Sequence, residues 1–195
     1  MHIEGERFLG IPPDQTFPGQ SLVPQAARIK RLVDATRSET ILDYGSGKGK
    51  QYDISPFEIA GVGQWPSIVE YWDVSEVTCY DPCFEAYNRL PAGHFDGVIC
   101  TDVLEHCPEE DIEWVIDEIF SYADKFVFAN VACYPAAKRL PSGENAHCTI
   151  RPIEWWTGVL KKVTSRHPQL QWEVWVQFKV PEAGGALLEE RLAST

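Results

Sequence analysis

The sequence has little positive charge and lacks the patterns that mark several common classes of protein. It contains 17 Lys and Arg against 29 Asp and Glu, so its formal net charge at pH 7 is −12. Proteins that bind nucleic acid use a positive surface that displaces counterions, and this charge balance therefore argues against a nucleic-acid partner. No apolar run approaches the roughly 20 residues of a membrane span, so we expect no membrane association.

The cysteines do not follow a redox or disulfide pattern. The chain has 6 Cys and no C-x-x-C pair, and Cys79, Cys100 and Cys133 lie within apolar runs, where a thiol packs as a small hydrophobe. The first residues have neither the charged nor the apolar region of a signal peptide. We therefore expect reduced thiols and a cytoplasmic protein.

Predicted strands and helices alternate along most of the 195 residues. Apolar residues at helical spacing predict helices over 22–36, near 66–72, from Pro108 and from Pro152. Short apolar runs predict strands over 40–44, 76–80, 95–100, 125–133 and 172–178, the last of them half-buried. This alternation predicts an α/β fold with a doubly wound, mostly parallel sheet and helices on both faces.

A glycine-rich turn follows the first predicted strand directly. Gly45, Gly47 and Gly49 occupy alternate positions in it, and glycine permits both a positive φ and the close approach of a ligand. Ligands of parallel sheets bind at the carboxyl ends of the strands, where Asp81 ends the next predicted strand and can accept hydrogen bonds from a ribose diol. The two features together predict a site for a nucleoside-containing cofactor.

The turn differs from two other nucleotide-binding signatures. The dinucleotide fingerprint is G-x-G-x-x-G, and here Lys50 stands where the third glycine would fall, which argues against NAD. A phosphate-binding Walker loop needs G-K-[ST], but Gly47-Lys48 is followed by Gly49.

Two segments resemble the class I S-adenosylmethionine-dependent methyltransferases. Residues 41–49, ILDYGSGKG, look like motif I of that family, hydrophobic-hydrophobic-Asp/Glu-x-Gly-x-Gly-x-Gly. Residues 95–106, FDGVICTDVLEH, look like its fourth strand and the turn after it. The resemblance covers roughly residues 38–133, and it implies a Rossmann-like fold, S-adenosylmethionine as cofactor and methyl transfer as the reaction.

The resemblance also implies a role for each matched residue. Asp43 would orient the glycine turn, Gly45 and Gly47 would admit the methionine part of the cofactor, Asp81 would hold the ribose, and Cys83 would lie near the adenine. The full set of implied cofactor-binding residues is Asp43, Tyr44, Gly45, Gly47, Gly49, Asp81, Pro82, Cys83, Phe84, Thr101, Asp102 and Val103.

The resemblance implies a methyltransferase domain over 21–180, between an irregular N-terminal arm (1–20) and a C-terminal tail (181–195). Little room lies between Asp81 and Phe95 for the family's third strand. Only one strand is predicted after residue 165, where the family has an antiparallel pair. We therefore expect the sheet to be trimmed at both edges.

Two histidines are candidates for a general base. Methyl transfer depends mainly on alignment, and a hydroxyl acceptor benefits from a base whereas a neutral amine does not need one. His106 follows the fourth-strand motif and His147 lies in the loop after the fifth strand; in the other interpretation each only braces its loop. Cys107 and Cys148 follow them directly, which is not a common zinc spacing, and we predict no metal site.

The acceptor itself is not encoded in any motif. The acidic charge and the 12% aromatic content favour a small-molecule acceptor. Residues 101–104, TDVL, replace the N-P-P-[YFW] tetrapeptide of enzymes that methylate base amino groups. Open alternatives are methylation of nucleic acid or protein, a cofactor-binding module without turnover, and a nicotinamide-dependent oxidoreductase; the oligomeric state is also open.

Overall fold

The computed structural model describes Gly5, residues 10–180 and residues 186–194. The strands are β1 (Thr40–Tyr44), β2 (Phe57–Ile59), β3 (Gly63–Trp65), β4 (Glu76–Tyr80), β5 (Phe95–Thr101), β6 (Ala123–Ala132), β7 (Gln171–Val180) and β8 (Ala186–Ala193). The α-helices are α1 (Ala26–Thr36), α2 (Ile68–Trp72), α3 (Ile112–Ser121) and α4 (Ile153–Thr164).

The main sheet has six strands in the order β4-β1-β5-β6-β7-β8. The first five run parallel to one another, and β8 pairs antiparallel with β7. The protein therefore has an α/β fold with a mixed, mostly parallel sheet. Because parallel strands end at a common edge, the turns after β1, β4 and β5 lie side by side there.

Successive residues of the central strands belong to two different clusters of buried apolar side chains. On β1, Leu42 packs in a cluster with α3 and α4, whereas Ile41 packs in a cluster with α1 and α2. Such alternation is expected of a strand. One wholly buried Trp lies in each cluster, Trp156 on α4 and Trp72 on α2, and Nε1 of Trp72 donates to the carbonyl oxygen of Ala26 at 2.9 Å.

Most of the predicted elements are confirmed. The predicted strands over 40–44 and 76–80 match β1 and β4 residue for residue. The predicted helix over 22–36 is α1, preceded by a 3-10 helix over Gln20–Gln25 that contains Pro24, a residue that has no N–H to donate within a helix. Pro108 and Pro152 lie one residue before their helical segments.

The two edges of the sheet differ from each other. Between β4 and β5 the chain forms only a 3-10 turn, Glu85–Tyr87, and no strand, so trimming at this edge is confirmed. At the other edge the prediction is wrong, because Ala186–Ala193 of the predicted tail form β8. Residues 186–191 are all exposed and therefore have no buried alternation to reveal a strand. Residues 181–185 and 195 of the tail lie outside the described residues, as do 1–4 and 6–9 of the predicted arm.

Strand β7, which is predicted to be half-buried, is buried more fully in the structure. Glu173 is 0% exposed, and its carboxylate accepts hydrogen bonds from Arg191 on β8 at 2.8 Å and Arg31 on α1 at 3.1 Å. Burial acts to raise the pKa of Glu173, but Trp175, Arg191 and Arg31 hold it below its usual value. Arg31 and Arg191 are distant from Glu173 in sequence, which is why the alternation of β7 does not reveal them.

In the described ranges, no helix combines the length and the apolar character needed to cross a membrane.

Candidate functional site

A cavity of about 440 Å³ opens at the carboxyl ends of β1, β4 and β5. It is lined by the turns that follow these strands, with residues 45–47, 81–83 and 101–103. Its volume lies within the roughly 300–1,000 Å³ of small-molecule sites. The cavity therefore occupies the place at which parallel sheets bind ligands.

The glycine turn is tightly packed between two neighbouring segments. Gly45, Gly47 and Gly49 have φ of 83°, 60° and 66°. A Cβ atom would lie 2.3 Å from Cγ2 of Val103 if added to Gly45, and 2.4 Å from the carbonyl oxygen of Phe17 if added to Gly47. Both conformation and space therefore require glycine at these two positions.

Asp81 joins the glycine turn to the loop after β4. Its Oδ2 accepts a hydrogen bond from the backbone N–H of Gly47 at 2.9 Å, and its Oδ1 accepts one from the backbone N–H of Cys83, also at 2.9 Å. Asp43, which the resemblance expects to orient the turn, is linked to it through Gln51, whose Nε2 donates to Oδ2 of Asp43 at 2.9 Å and to the carbonyl oxygen of Ser46 at 3.4 Å. The direct bond to a glycine of the turn comes from Asp81.

Asp43 is nearly wholly buried in the floor of the cavity. Its Oδ2 accepts hydrogen bonds from Nε2 of Gln51 at 2.9 Å and from the hydroxyl of Tyr52 at 2.8 Å, while its Oδ1 is buried and has no partner among the described residues. Burial raises the pKa of Asp43 to about 6, against the lowering effect of these two donors. The carboxyl group is therefore mostly ionised at neutral pH.

A third carboxylate lines the cavity at the end of β5. Asp102 has a left-handed φ of 53°, and its Oδ1 accepts a hydrogen bond from Nδ2 of Asn130 on β6 at 2.6 Å. No Lys or Arg occurs among the lining residues that the structure describes. The charged groups there are Asp43, Asp81 and Asp102, and such a lining favours neutral or cationic ligands over anionic ones.

The segment before α1 forms one wall of the cavity. The backbone N–H groups of Lys48 and Lys50 donate to the carbonyl oxygens of Phe17 at 2.9 Å and Pro18 at 3.0 Å. The ammonium of Lys48 donates to the carbonyl oxygen of Thr16 at 2.8 Å. Part of the predicted irregular arm is thus hydrogen-bonded across the glycine turn.

The two candidate histidines lie against each other, but only His106 lines the cavity. Their ring centroids are 4.8 Å apart and the rings are nearly perpendicular. Nδ1 of His106 lies 2.7 Å from the carbonyl oxygen of Ala146, and Nδ1 of His147 lies 2.6 Å from that of Tyr134. Burial lowers the pKa of His106. His147 is hydrogen-bonded within its own loop and contacts the His106 ring, but it does not line the cavity.

The other predicted site residues separate into two groups. Tyr44 points away from the cavity and donates to Glu118 at 2.5 Å, Gly49 packs against Tyr87, and Phe84 packs on the same ring. With His147, these are the predicted residues that do not line the cavity. Those that do are Asp43, Gly45, Gly47, Asp81, Pro82, Cys83, Thr101, Asp102, Val103 and His106.

Several lining residues are not predicted from the sequence. Ser46 lies within the glycine motif and Gln51 just beyond it, so the motif could have signalled both. The others are uncharged residues brought in by the wall before α1 and by the loops after β5 and β6, and they belong to no motif. The full set is Phe17, Gly19, Ser21, Ser46, Gln51, Cys107, Leu140, Pro141 and Ala146.

Glu105, in the turn after β5, is a buried acid with one oxygen unused. Its side chain is 0% exposed. Its Oε1 accepts from the backbone N–H of Ala132 at 2.9 Å, and its Oε2 has no partner in the described part of the chain. Burial, reinforced by Asp102, raises the pKa of Glu105 to about 8, so this carboxyl group is mainly protonated at neutral pH.

Over the described residues, no group of His, Cys, Asp or Glu side chains is arranged to hold a metal ion. Cys148, beside His147, instead donates its thiol to the carbonyl oxygen of His106 at 3.1 Å.

Comparison with known proteins identifies no family. No protein-family model matches the chain, and a search of curated proteins gives no match.

Proposed function

We propose that this protein transfers a methyl group from S-adenosylmethionine to a small-molecule acceptor. The observation that carries the proposal is the position of Asp81, bonded to the glycine turn in a cavity whose described charged lining is entirely acidic. S-adenosylmethionine has a cationic sulfonium, a cationic ammonium and one carboxylate, so its net charge is positive, and it has no phosphate. Opposite charges at short range in a partly buried site favour its binding.

The residues present fit such a cofactor. Each oxygen of Asp81 accepts one backbone hydrogen bond and keeps the capacity for a second, so a ribose diol can donate to it without displacing the turn. Gly45 and Gly47 both line the cavity, so the methionine part can reach their backbone there. When bound, the cofactor supplies a methyl group on positively charged sulfur, and the electron pair of the broken C–S bond returns to that sulfur.

The sheet itself agrees with a Rossmann-like, doubly wound arrangement, which is part of the proposal. Strand residues alternate between a cluster that contains α1 and α2 and a cluster that contains α3 and α4. Helices on both faces of the sheet would produce this division.

A nicotinamide dinucleotide fits the cavity less well. Its pyrophosphate needs a helix N-terminus or cationic side chains. The glycine turn leads only into a 3-10 helix of 4 residues, Lys50–Asp53. The Lys48 ammonium donates to Thr16, and no Lys or Arg lines the described cavity.

The test is ligand-dependent thermal unfolding with S-adenosylmethionine, S-adenosylhomocysteine, NAD and NADP. A ligand present at a hundred times its Kd stabilises the fold by about 2.7 kcal/mol, which raises the Tm by about 5–10 °C. We expect this shift from the two sulfur compounds only, and its loss in Asp81→Asn.

The control is Asp96→Asn. Asp96 is also a carboxylate that accepts a backbone N–H, that of Glu39 at 2.7 Å, but it lies near the opposite end of β5. This variant should lose stability and keep the ligand shift. A shift with NAD alone, or with no ligand, would refute the proposal; a shift without product from any acceptor would indicate a binding module.

A further inference from the structure

We propose that the methyl acceptor is a neutral molecule with an apolar body and a hydroxyl group, and that Nε2 of His106 accepts the proton of that hydroxyl. The inference rests on the proposed function and specifies its substrate class. Its basis is the tautomer of His106 and the chemistry of the lining around it.

The hydrogen bonds of His106 fix which nitrogen carries the proton. A carbonyl oxygen can only accept, so the contact of 2.7 Å with Ala146 requires a proton on Nδ1. In a neutral ring Nε2 then has a free lone pair. No described residue donates a hydrogen bond to Nε2, and the ring lines the cavity.

Two further contacts hold His106 in place. Its backbone N–H donates to the carbonyl oxygen of Val103 at 2.9 Å, which fixes the backbone of the turn, and the His147 ring packs nearly perpendicular to the His106 ring. His147 is in turn fixed by Tyr134. A base that is already oriented loses little entropy when it meets its substrate.

Most of the lining residues beside His106 are uncharged, although the charges of Asp102 and Lys138 also act on the pKa of its ring. The uncharged residues include Val103, Leu140, Pro141 and Ala146. Cys107 also contributes, and because burial raises the pKa of this thiol to about 11, it stays neutral. An acceptor that fills this part of the cavity is therefore expected to be apolar wherever it does not meet His106.

The charges around the cavity disfavour other acceptors. A phosphate or carboxylate group beside His106 would face the carboxylate of Asp102, and the one cation that acts on His106, Lys138, does not line the cavity among the described residues. A neutral amine can attack without a base, so it would leave the fixed lone pair of His106 unused. A hydroxyl group uses that lone pair, and it carries no charge into the cavity.

The reaction balances with the groups named. The hydroxyl oxygen would form a bond to the methyl carbon while the C–S bond breaks and its electron pair stays on sulfur. The hydroxyl proton would pass to Nε2 of His106. The imidazolium so formed strengthens its hydrogen bond to Ala146. It returns the proton to water once the product leaves.

The experiment measures binding to protein saturated with S-adenosylhomocysteine, by NMR titration with four probes of similar shape. These are p-cresol, p-xylene, p-toluate and p-toluidine, which present a hydroxyl, a methyl, a carboxylate and an amine. We expect p-cresol to bind about tenfold more tightly than p-xylene, the value of one hydrogen bond. We also expect it to shift the ¹⁵N resonance of Nε2 of His106.

Variants assign the effect to one ring. His106→Phe should remove the preference for p-cresol, while the binding of p-xylene and of S-adenosylhomocysteine is kept, which shows that the fold is intact. The control His94→Gln changes an exposed histidine far from the cavity and should change nothing.

Each contrary result has one meaning. Three results would overturn the inference alone. They are equal binding of p-cresol and p-xylene, tighter binding of p-toluate or p-toluidine than of p-cresol, and loss of the preference for p-cresol in His147→Gln but not in His106→Phe. Failure to bind S-adenosylhomocysteine would overturn the proposed function, and the inference with it.

Discussion

The backbone N–H of Gly47 donates a hydrogen bond of 2.9 Å to the carboxylate of Asp81, which lies 34 residues later in the chain. One bond thus joins the turn after β1 to the turn after β4. Because Asp81 is 7% exposed, water replaces this bond poorly. The geometry of the glycine turn therefore depends on the residue that we expect to hold the cofactor.

We predict that Gly47→Ala destabilises the protein more than Gly61→Ala. Both positions have positive φ, 60° and 75°, and strain at such a position costs about 1–3 kcal/mol. Only at Gly47 would the new Cβ also meet an atom, the carbonyl oxygen of Phe17 at 2.4 Å. Urea unfolding measures both; equal losses would mean that residues 16–19 do not pack on the turn.

Glu105→Gln should remove part of the pH dependence of stability. The pKa of Glu105 is about 8 in the folded protein and 4.5 as a free group. Between these two pH values the carboxyl group is protonated in the folded state and ionised in the unfolded state. The free energy of unfolding therefore falls as the pH rises from about 4.5 to about 8, by roughly 1 kcal/mol per pH unit.

The measurement is the free energy of unfolding at pH 6 and pH 8 in both proteins. The difference between wild type and Glu105→Gln isolates Glu105 from other groups, including Asp43, which titrates at about 6. We expect the variant to gain relative stability at pH 8. A difference that does not change with pH would show that Glu105 is ionised at pH 6.

Tyr44→Phe should leave cofactor binding unchanged, although Tyr44 lies within the glycine motif. Its hydroxyl donates to Glu118 on α3, on the side of the sheet away from Asp43. Loss of this bond should cost about 0.5–1.5 kcal/mol of stability. Calorimetric titration with S-adenosylhomocysteine tests the prediction. A higher Kd in the variant would place Tyr44 in the site after all.

Lys48→Met should loosen the wall formed by residues 13–19. The ammonium of Lys48 donates to the carbonyl oxygen and the hydroxyl of Thr16, at 2.8 and 3.1 Å, and methionine keeps the length of the side chain without the donor. We expect faster hydrogen exchange around Phe17. Lys161→Met, an exposed change on α4, is the comparison and should exchange like the wild type.

The sequence predicts those parts of the fold whose signal is local. β1 and β4 are short apolar runs bounded by polar residues, and the glycine turn and Asp81 follow them directly. β8 is not predicted because its exposed residues have no buried face. The hairpin of β2 and β3 is missed because each strand has only three residues, too few to show a period.

The site is predicted from the sequence only where a motif supplies it. Asp81 and Asp102 follow from strand ends and Asp43 from the glycine motif, but the covering residues follow from neither. Phe17 is held at the cavity by a backbone hydrogen bond, which does not depend on the identity of its side chain. Leu140 reaches the cavity through a long loop. Such contacts depend on tertiary packing, and no local pattern encodes them.

The close fit between Gly45 and Val103 has an evolutionary consequence. A Cβ at position 45 would lie 2.3 Å from the Val103 side chain, and the φ of 83° at Gly45 also requires glycine there, so position 45 cannot change to make room for a larger residue at 103. Because Val103 lies three residues before His106, the fixed glycine limits the size of the side chains that this loop can carry. Homologous chains should therefore keep glycine at 45 and a residue no larger than valine at 103.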